Sequence, residues 1–138
     1  MNFLGKRPAR ASPSGPGVAS GSTTRQRGNA AEDQALACLQ AVGLKLLERN
    51  YRTPGRGGGE IDLVMRDRDG TVVFVEVRSR TSNTFGGAGA SIGATKQRRI
   101  VFAARHYLMR MSTPPPCRFD VILVDASVQW LKAAFDAQ

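Results

Sequence analysis

The sequence predicts an α/β fold: a mixed central sheet flanked by helices, in the order helix, three strands, helix, strand, with a short final element. Three observations lead there. Two β-branched apolar runs, Glu60–Met65 and Thr71–Arg78, flank the turn signal Asp67-Arg68-Asp69-Gly70 and read as a hairpin. Two segments of helical period, residues 28–42 and 95–111, bracket that hairpin. A further apolar run, Arg118–Val124, follows the second segment after the proline stop at Pro114–Pro116.

Residues 1–26 are rich in Pro, Gly, Ser, Ala and Arg and have no period, so they read as a disordered basic arm ahead of a single domain over 27–138. The chain's 138 residues suffice for one core. In the first helix Ala35, Leu36, Leu39 and Val42 form the apolar stripe, and Gly43 is placed to end it. Glu32 precedes Ala35, Leu36 and Leu39 by helical spacings and so points along the stripe, although a first-turn Glu can simply favour the helix dipole. Leu44–Tyr51 reads as the first strand. The loop after it, residues 52–59, combines Arg52 and Arg56 with Gly55, Gly57, Gly58 and Gly59. Such a loop could approach a phosphate backbone or be a plain connection; it lacks the Lys-Ser/Thr ending of a P-loop.

The loop over 79–93 is again glycine-rich, with Phe85 as its apolar anchor. In the second helix Ile100, Ala103, Ala104, Tyr107, Leu108 and Met111 form a stripe, complemented by Lys96, Arg98, Arg99, Arg105 and Arg110 without any acid. This is either a surface helix or one that faces phosphate. His106 lies at the edge of the stripe and reads as a surface residue. Val128–Phe135 is a short strand or a closing turn, with Trp130 covering the core.

The hairpin carries the chemistry. A three-residue loop, Arg68-Asp69-Gly70 with Gly70 left-handed, pairs Asp67 with Thr71. Counting back sets Asp62 opposite Glu76, and Glu60 opposite Arg78. Directly opposed side chains lie about 5 Å apart at Cβ. Two carboxylates so placed repel unless a cation lies between them, and hard divalent ions take oxygen ligands. A loop of two or four residues would put Asp62 and Glu76 on opposite faces. Acids along a hairpin are often just its solvated face, but the residues around these two are apolar on both faces, where an unpaired carboxylate is costly.

Lys and Arg number 20 against 11 Asp and Glu, a formal net charge of +9. Lys6, Arg7, Arg10, Arg25 and Arg27 sit in the acid-free N-terminal stretch. The excess favours a polyanionic partner, most simply nucleic acid, although a ribosomal or membrane-surface role fits it too. Cys38, Cys117 and His106 have no zinc spacing and suggest free thiols in a reducing cytoplasm. No apolar stretch approaches the roughly 20 residues of a membrane span. The N-terminus lacks a secretory core; its Arg/Ser-rich character is like a transit peptide but shows no amphipathic helix.

Five motifs in order, Gly28-x-x-x-Glu32, Gly59-Glu60-Ile61-Asp62-Leu63, Phe74-Val75-Glu76-Val77-Arg78, Lys96-Gln97-Arg98-Arg99-Ile100 and Phe119-Asp120-Val121, resemble the YraN-like family of uncharacterised bacterial proteins over about residues 25 to 136. That family is similar to the restriction-endonuclease-like nucleases, the PD-(D/E)XK group with the archaeal Holliday-junction resolvases, whose core is αβββαβ. The resemblance implies a metal-dependent endonuclease on DNA, branched or otherwise structured, or a nucleic-acid-binding protein of that fold with little turnover. It implies Asp62 and Glu76 as ligands of Mg²⁺ or Mn²⁺, with the Val77 carbonyl as a third. It implies Glu32 as a supporting acid, Arg78 at the position of the nucleases' catalytic Lys, and Gln97 as a residue orienting water or phosphate. The basic residues Arg52, Arg56, Arg80, Lys96, Arg98 and Arg99 are the nucleic-acid-binding candidates. A homodimer follows by analogy with the resolvases. Ile61 replaces the usual Pro, and Arg78 replaces a Lys with a group that stays protonated.

Overall fold

In the computed structural model, residues 24–79 and 92–137 are described. The N-terminal arm through residue 23, Arg80 and Phe85 lie outside them. The chain forms α1 (Thr24–Ala41), β1 (Lys45–Arg52), β2 (Glu60–Arg66), β3 (Val72–Ser79), α2 (Ala94–Leu108), β4 (Cys117–Val124) and β5 (Val128–Phe135). The strands make one sheet in sequence order. Neighbours are antiparallel except β3 and β4, which run parallel and are joined through α2. This is the mixed sheet that the sequence predicts.

The strand β3 is central because it is apolar on both faces. Val72 and Phe74 pack with Ile100, Ala103, Ala104 and Tyr107 of α2. Val73 and Val75 pack with Ala31, Ala35 and Leu39 of α1. All four β3 residues are at most 1% exposed. The sheet is therefore sandwiched between one helix on each side, the layered solution for a sheet with two hydrophobic faces.

The helix ends follow local chemistry. Gly43 adopts φ 103°, its N–H donates to Gln40 O at 3.0 Å, and the Leu44 N–H donates to Leu39 O at 3.1 Å. That pair of bonds is a Schellman cap. Val42 falls beyond the last turn and is 47% exposed, so Ala31 takes the place in the buried stripe that spacing assigned to Val42. α1 also begins at Thr24, inside the stretch read as arm. α2 stops at Leu108, three residues before Met111.

At the hairpin, Asp67 N–H donates to Thr71 O at 2.9 Å and Gly70 N–H to Asp67 O at 3.0 Å, with Gly70 at φ 93°. The loop has three residues, and Leu63 pairs with Val75 and Val64 with Phe74. This is the register that sets Asp62 opposite Glu76.

Val128–Phe135 is a full edge strand rather than a closing turn. Its pairing with β4 shifts between Phe119 and Val121. Asp120, fully buried, fills the irregularity. It accepts hydrogen bonds from Trp130 Nε1 and Ala133 N–H, both at 2.9 Å, and from Arg118 Nε at 3.1 Å. Ala133 takes φ 51° to reach it. Arg118 also pairs with Asp67 at 2.9 Å, tying β4 to the hairpin turn.

Asp120→Ala should therefore destabilise the fold by about 3 kcal/mol, because the half-buried Arg118 loses its partner inside the sheet. A urea midpoint shift at constant slope measures it. A loss below about 1 kcal/mol would show that the network does not hold β5 in place.

Candidate active site

The β2–β3 ladder stops at Leu63↔Val75, one pair short of the two acids. The alternation of β2 breaks at the same point: Ile61 packs on the α2 side and Leu63 on the α1 side, although they are two residues apart. Asp62 lies at the break. Its Oδ2 accepts the Val77 N–H at 2.8 Å, in the gap where a ladder carbonyl would otherwise serve. A strand residue's N–H and C=O leave the same edge, so the Val77 carbonyl faces that gap as well.

Glu76 follows the last buried valine of β3, and its side chain is 9% exposed. Lys96, in the first turn of α2, places Nζ 3.4 Å from Glu76 Oε2. Glu32 approaches from α1 on the other side of the sheet. Its side chain is 13% exposed and accepts from Arg49 Nε of β1 at 3.3 Å. Arg49 also reaches Asp33 at 2.7 Å and Asn29 O at 3.4 Å, which fixes Glu32 from below.

Electrostatics show that the acids feel one another. Burial raises Asp62, and the Glu76 carboxylate raises it further, to about 7; the Val77 N–H and Lys96 oppose this. Burial raises Glu76 too, with Lys96, the bond to Asp62 and Arg78 pulling it back. The interaction between the two carboxyl groups raises Asp62 and lowers Glu76, so the two titrate as a pair. Glu32 is raised first by burial and then by the charge of Asp62, with Arg49 opposing. The three acids thus converge, with Asp62 in the middle.

Glu76, Val77, Arg78, Ser79, Gly93 and Lys96 line an open cleft of ≈ 460 Å³. The donor set is all oxygen, desolvated and self-repelling, which fits a hard divalent cation. Among the described residues no three His, Cys, Asp or Glu side chains are grouped to hold a metal. Mg²⁺ commonly takes one or two carboxylates and keeps several waters. Asp62 and Glu76 would supply that, with the Val77 carbonyl alongside.

The other candidates scatter. Gln97 donates from Nε2 to Ile92 O at 2.8 Å and braces the approach to α2 instead of lining the cleft. Arg52 and Arg99 line a second, smaller cleft of ≈ 190 Å³ with Gly55, Gly57, Gly58, Gly59 and Glu60. Arg52 lies 3.8 Å from Glu60. Arg52 is the β1 partner of Glu60, and the β2–β3 pairing ends before Glu60 and Arg78. Arg99 donates to Gly58 O at 3.4 Å. A Cβ on Gly59 would stand 1.9 Å from Arg99 O, so this loop is pressed onto α2. Arg56 and Arg98 are exposed.

Sequence reasoning missed the role of Arg49, which alternation along β1 alone could not connect with Glu32. It placed Lys96 among phosphate contacts, whereas Lys96 also reaches Glu76 directly.

The sequence profile of the uncharacterised protein family UPF0102 matches residues 31–124, a span that includes Glu32, Asp62, Glu76 and Lys96. The chain belongs to this family. A UPF0102 protein of Paracidovorax citrulli is 69% identical over 139 residues, covering 99% of both chains. One of Verminephrobacter eiseniae is 67% identical over 141 residues, covering 100% of this chain and 98% of the relative. One of Cupriavidus pinatubonensis is 57% identical over 116 residues, covering 83% of this chain and 89% of the relative. UPF0102 is the YraN-like family whose motifs the sequence resembles. Among the described residues of this UPF0102 chain, no helix is long and apolar enough to cross a membrane.

An acid held above its unfolded value binds more protons folded than unfolded. Asp62 therefore contributes most stability below its unfolded value near 4 and loses that contribution as pH rises through about 7. Asp62→Asn keeps an acceptor for Val77 N–H and gives Glu76 a donor. Thermal melts at pH 8 without divalent ions should show it more stable by on the order of 2 kcal/mol. Its stability should also change less between pH 4 and 7. A variant that is less stable at pH 8 would contradict this electrostatic picture.

Proposed function

We propose that this protein is a metal-dependent phosphodiester hydrolase acting on nucleic acid, with DNA as the substrate. The observation that carries the reading is the pair at the end of the β2–β3 ladder, a half-buried Asp62 and a buried Glu76, with Glu76 lining a cleft that also carries Arg78 and Lys96. Asp62, Glu76 and the Val77 carbonyl would hold Mg²⁺ or Mn²⁺. When bound, the ion would polarise a phosphoryl oxygen and lower the pKa of water.

The chain's own residues do the rest. Lys96 and Arg78 border the same cleft as Glu76 and offer positive charge to a phosphate seated there. Lys96, 3.4 Å from Glu76, would be available to a phosphate in the cleft if a cation were held by the carboxylates. Glu32, held by Arg49, keeps negative charge behind Asp62 and favours cation occupancy. The net charge of +9 draws the polyanion to the surface. Action on branched DNA, work as a homodimer and a cytoplasmic setting extend this reading by analogy with the resolvases.

One observation favours a second reading, a nucleic-acid-binding protein of this fold with little or no turnover. Position 78 carries a guanidinium, which cannot accept a proton, and the amine at the cleft, Lys96, is paired with Glu76.

Incubation with linear, flapped and four-way DNA in Mg²⁺ or Mn²⁺ should give cleavage that falls at least about 100-fold in Asp62→Ala and Glu76→Ala. Cleavage that persists in Asp62→Ala would refute this site. Salt-sensitive binding without cleavage would select the second reading.

A further inference from the structure

The face of α2 that packs on the sheet carries Ile100, Val101, Ala103, Ala104 and Tyr107. The opposite face carries Arg98, Phe102, Arg105 and Met109, separated by four, three and four residues. That spacing stacks them in one stripe about 16 Å long. All four are exposed, Phe102 at 54% and Met109 at 78%. Met109 retains helical angles and bonds Arg105 O, so the stripe continues through the C-cap. Among the described residues, Phe102 and Met109 belong to neither core cluster.

Among the described residues, the charges on this face meet no acid. Arg99 and Arg110, on the flanks of α2, are tied to Gly58 O and Glu48. Arg98 bonds only the neighbouring Thr95 hydroxyl, at 3.2 Å, and among the described residues neither Arg98 nor Arg105 forms an ion pair. An exposed aromatic with an arginine one turn before it and another one turn after it matches a base flanked by two phosphates. A second copy placed face to face would bring four arginines together, and like charges in contact disfavour that pairing.

We propose that the Arg98–Phe102–Arg105–Met109 stripe is a stacking surface for the unpaired nucleotides of single-stranded or branched nucleic acid. Phe102 stacks on a base, Met109 extends the apolar surface, and Arg98 and Arg105 hold the adjoining phosphates. A duplex keeps its base faces covered, so it gains only the phosphate contacts. The inference rests on the nucleic-acid reading of the cleft and adds the substrate class: a strand with unpaired bases. Lys96 belongs to the same helix but reaches Glu76 from the side turned to the sheet.

The test is a titration of the full chain, without divalent ions, into a single-stranded oligonucleotide carrying 2-aminopurine and into its duplex. The single strand should bind more tightly, with its fluorescence quenched by stacking. Phe102→Ala should weaken single-strand binding about tenfold and leave duplex binding unchanged, while Phe102→Tyr restores it. Arg98→Ser and Arg105→Ser should each reduce the salt slope by about one. Equal affinity for both DNAs, or equal loss on both in Phe102→Ala, overturns the stacking surface; persistent metal-dependent cleavage in that case leaves the hydrolase reading intact. Absence of any nucleic-acid binding overturns both. A wild-type dimer that Phe102→Ala converts to monomer would assign the stripe to self-association and overturn the proposal.

Discussion

A half-buried and a buried carboxylate at the end of one ladder set the terms for the rest of this structure. Burying one unpaired carboxylate is costly, and burying two within hydrogen-bond reach is costlier still. The chain meets the problem by breaking a sheet ladder one residue early, handing the Val77 N–H to Asp62 and a lysine ammonium to Glu76. These devices reduce the repulsion without removing it, since both acids remain displaced upward. A site left in that state near neutral pH is suited to a cation, which would take the place of both a proton and the lysine.

The surrounding architecture serves that placement. β3 is apolar on both faces and so lies between two helices, each of which presents one charged residue near the end of the strand. α1 carries Glu32, steadied by Arg49 from the edge strand β1. α2 carries Lys96, and the close approach of Gly59 to Arg99 O packs the loop before β2 against this helix. At the opposite end of the sheet, Arg118 and Asp120 lock β4 to the turn and to β5. The hairpin register therefore rests on the turn chemistry of Asp67–Thr71 and on a cross-strand tie.

Much of this was legible in the sequence because turn length is arithmetic. A three-residue loop ending in Gly70 dictates which residues face each other, and the αβββαβ order follows from the alternation of helical and strand periods. Glu32 was legible from its spacing to Ala35 and Leu39. Other features depended on contacts between distant residues. Val42 continues the helical period but lies past a cap that only backbone bonds define. The last strand contains Ala133 with a left-handed backbone, and its partner is a buried aspartate far from it in sequence, so its pattern was ambiguous between strand and turn. Gln97 has the right position for a site residue, yet its amide is spent on Ile92 O. The early end of the β2–β3 ladder had no signal in the residues themselves.

Calorimetric titration of the protein with Mn²⁺ at pH 7, repeated in two buffers of different protonation enthalpy, tests the central claim most directly. The account predicts site-specific binding that releases a proton from the carboxylate pair, with both the binding and the release lost in Asp62→Asn. Binding that is unchanged in Asp62→Asn, or no binding at millimolar ion, would contradict it.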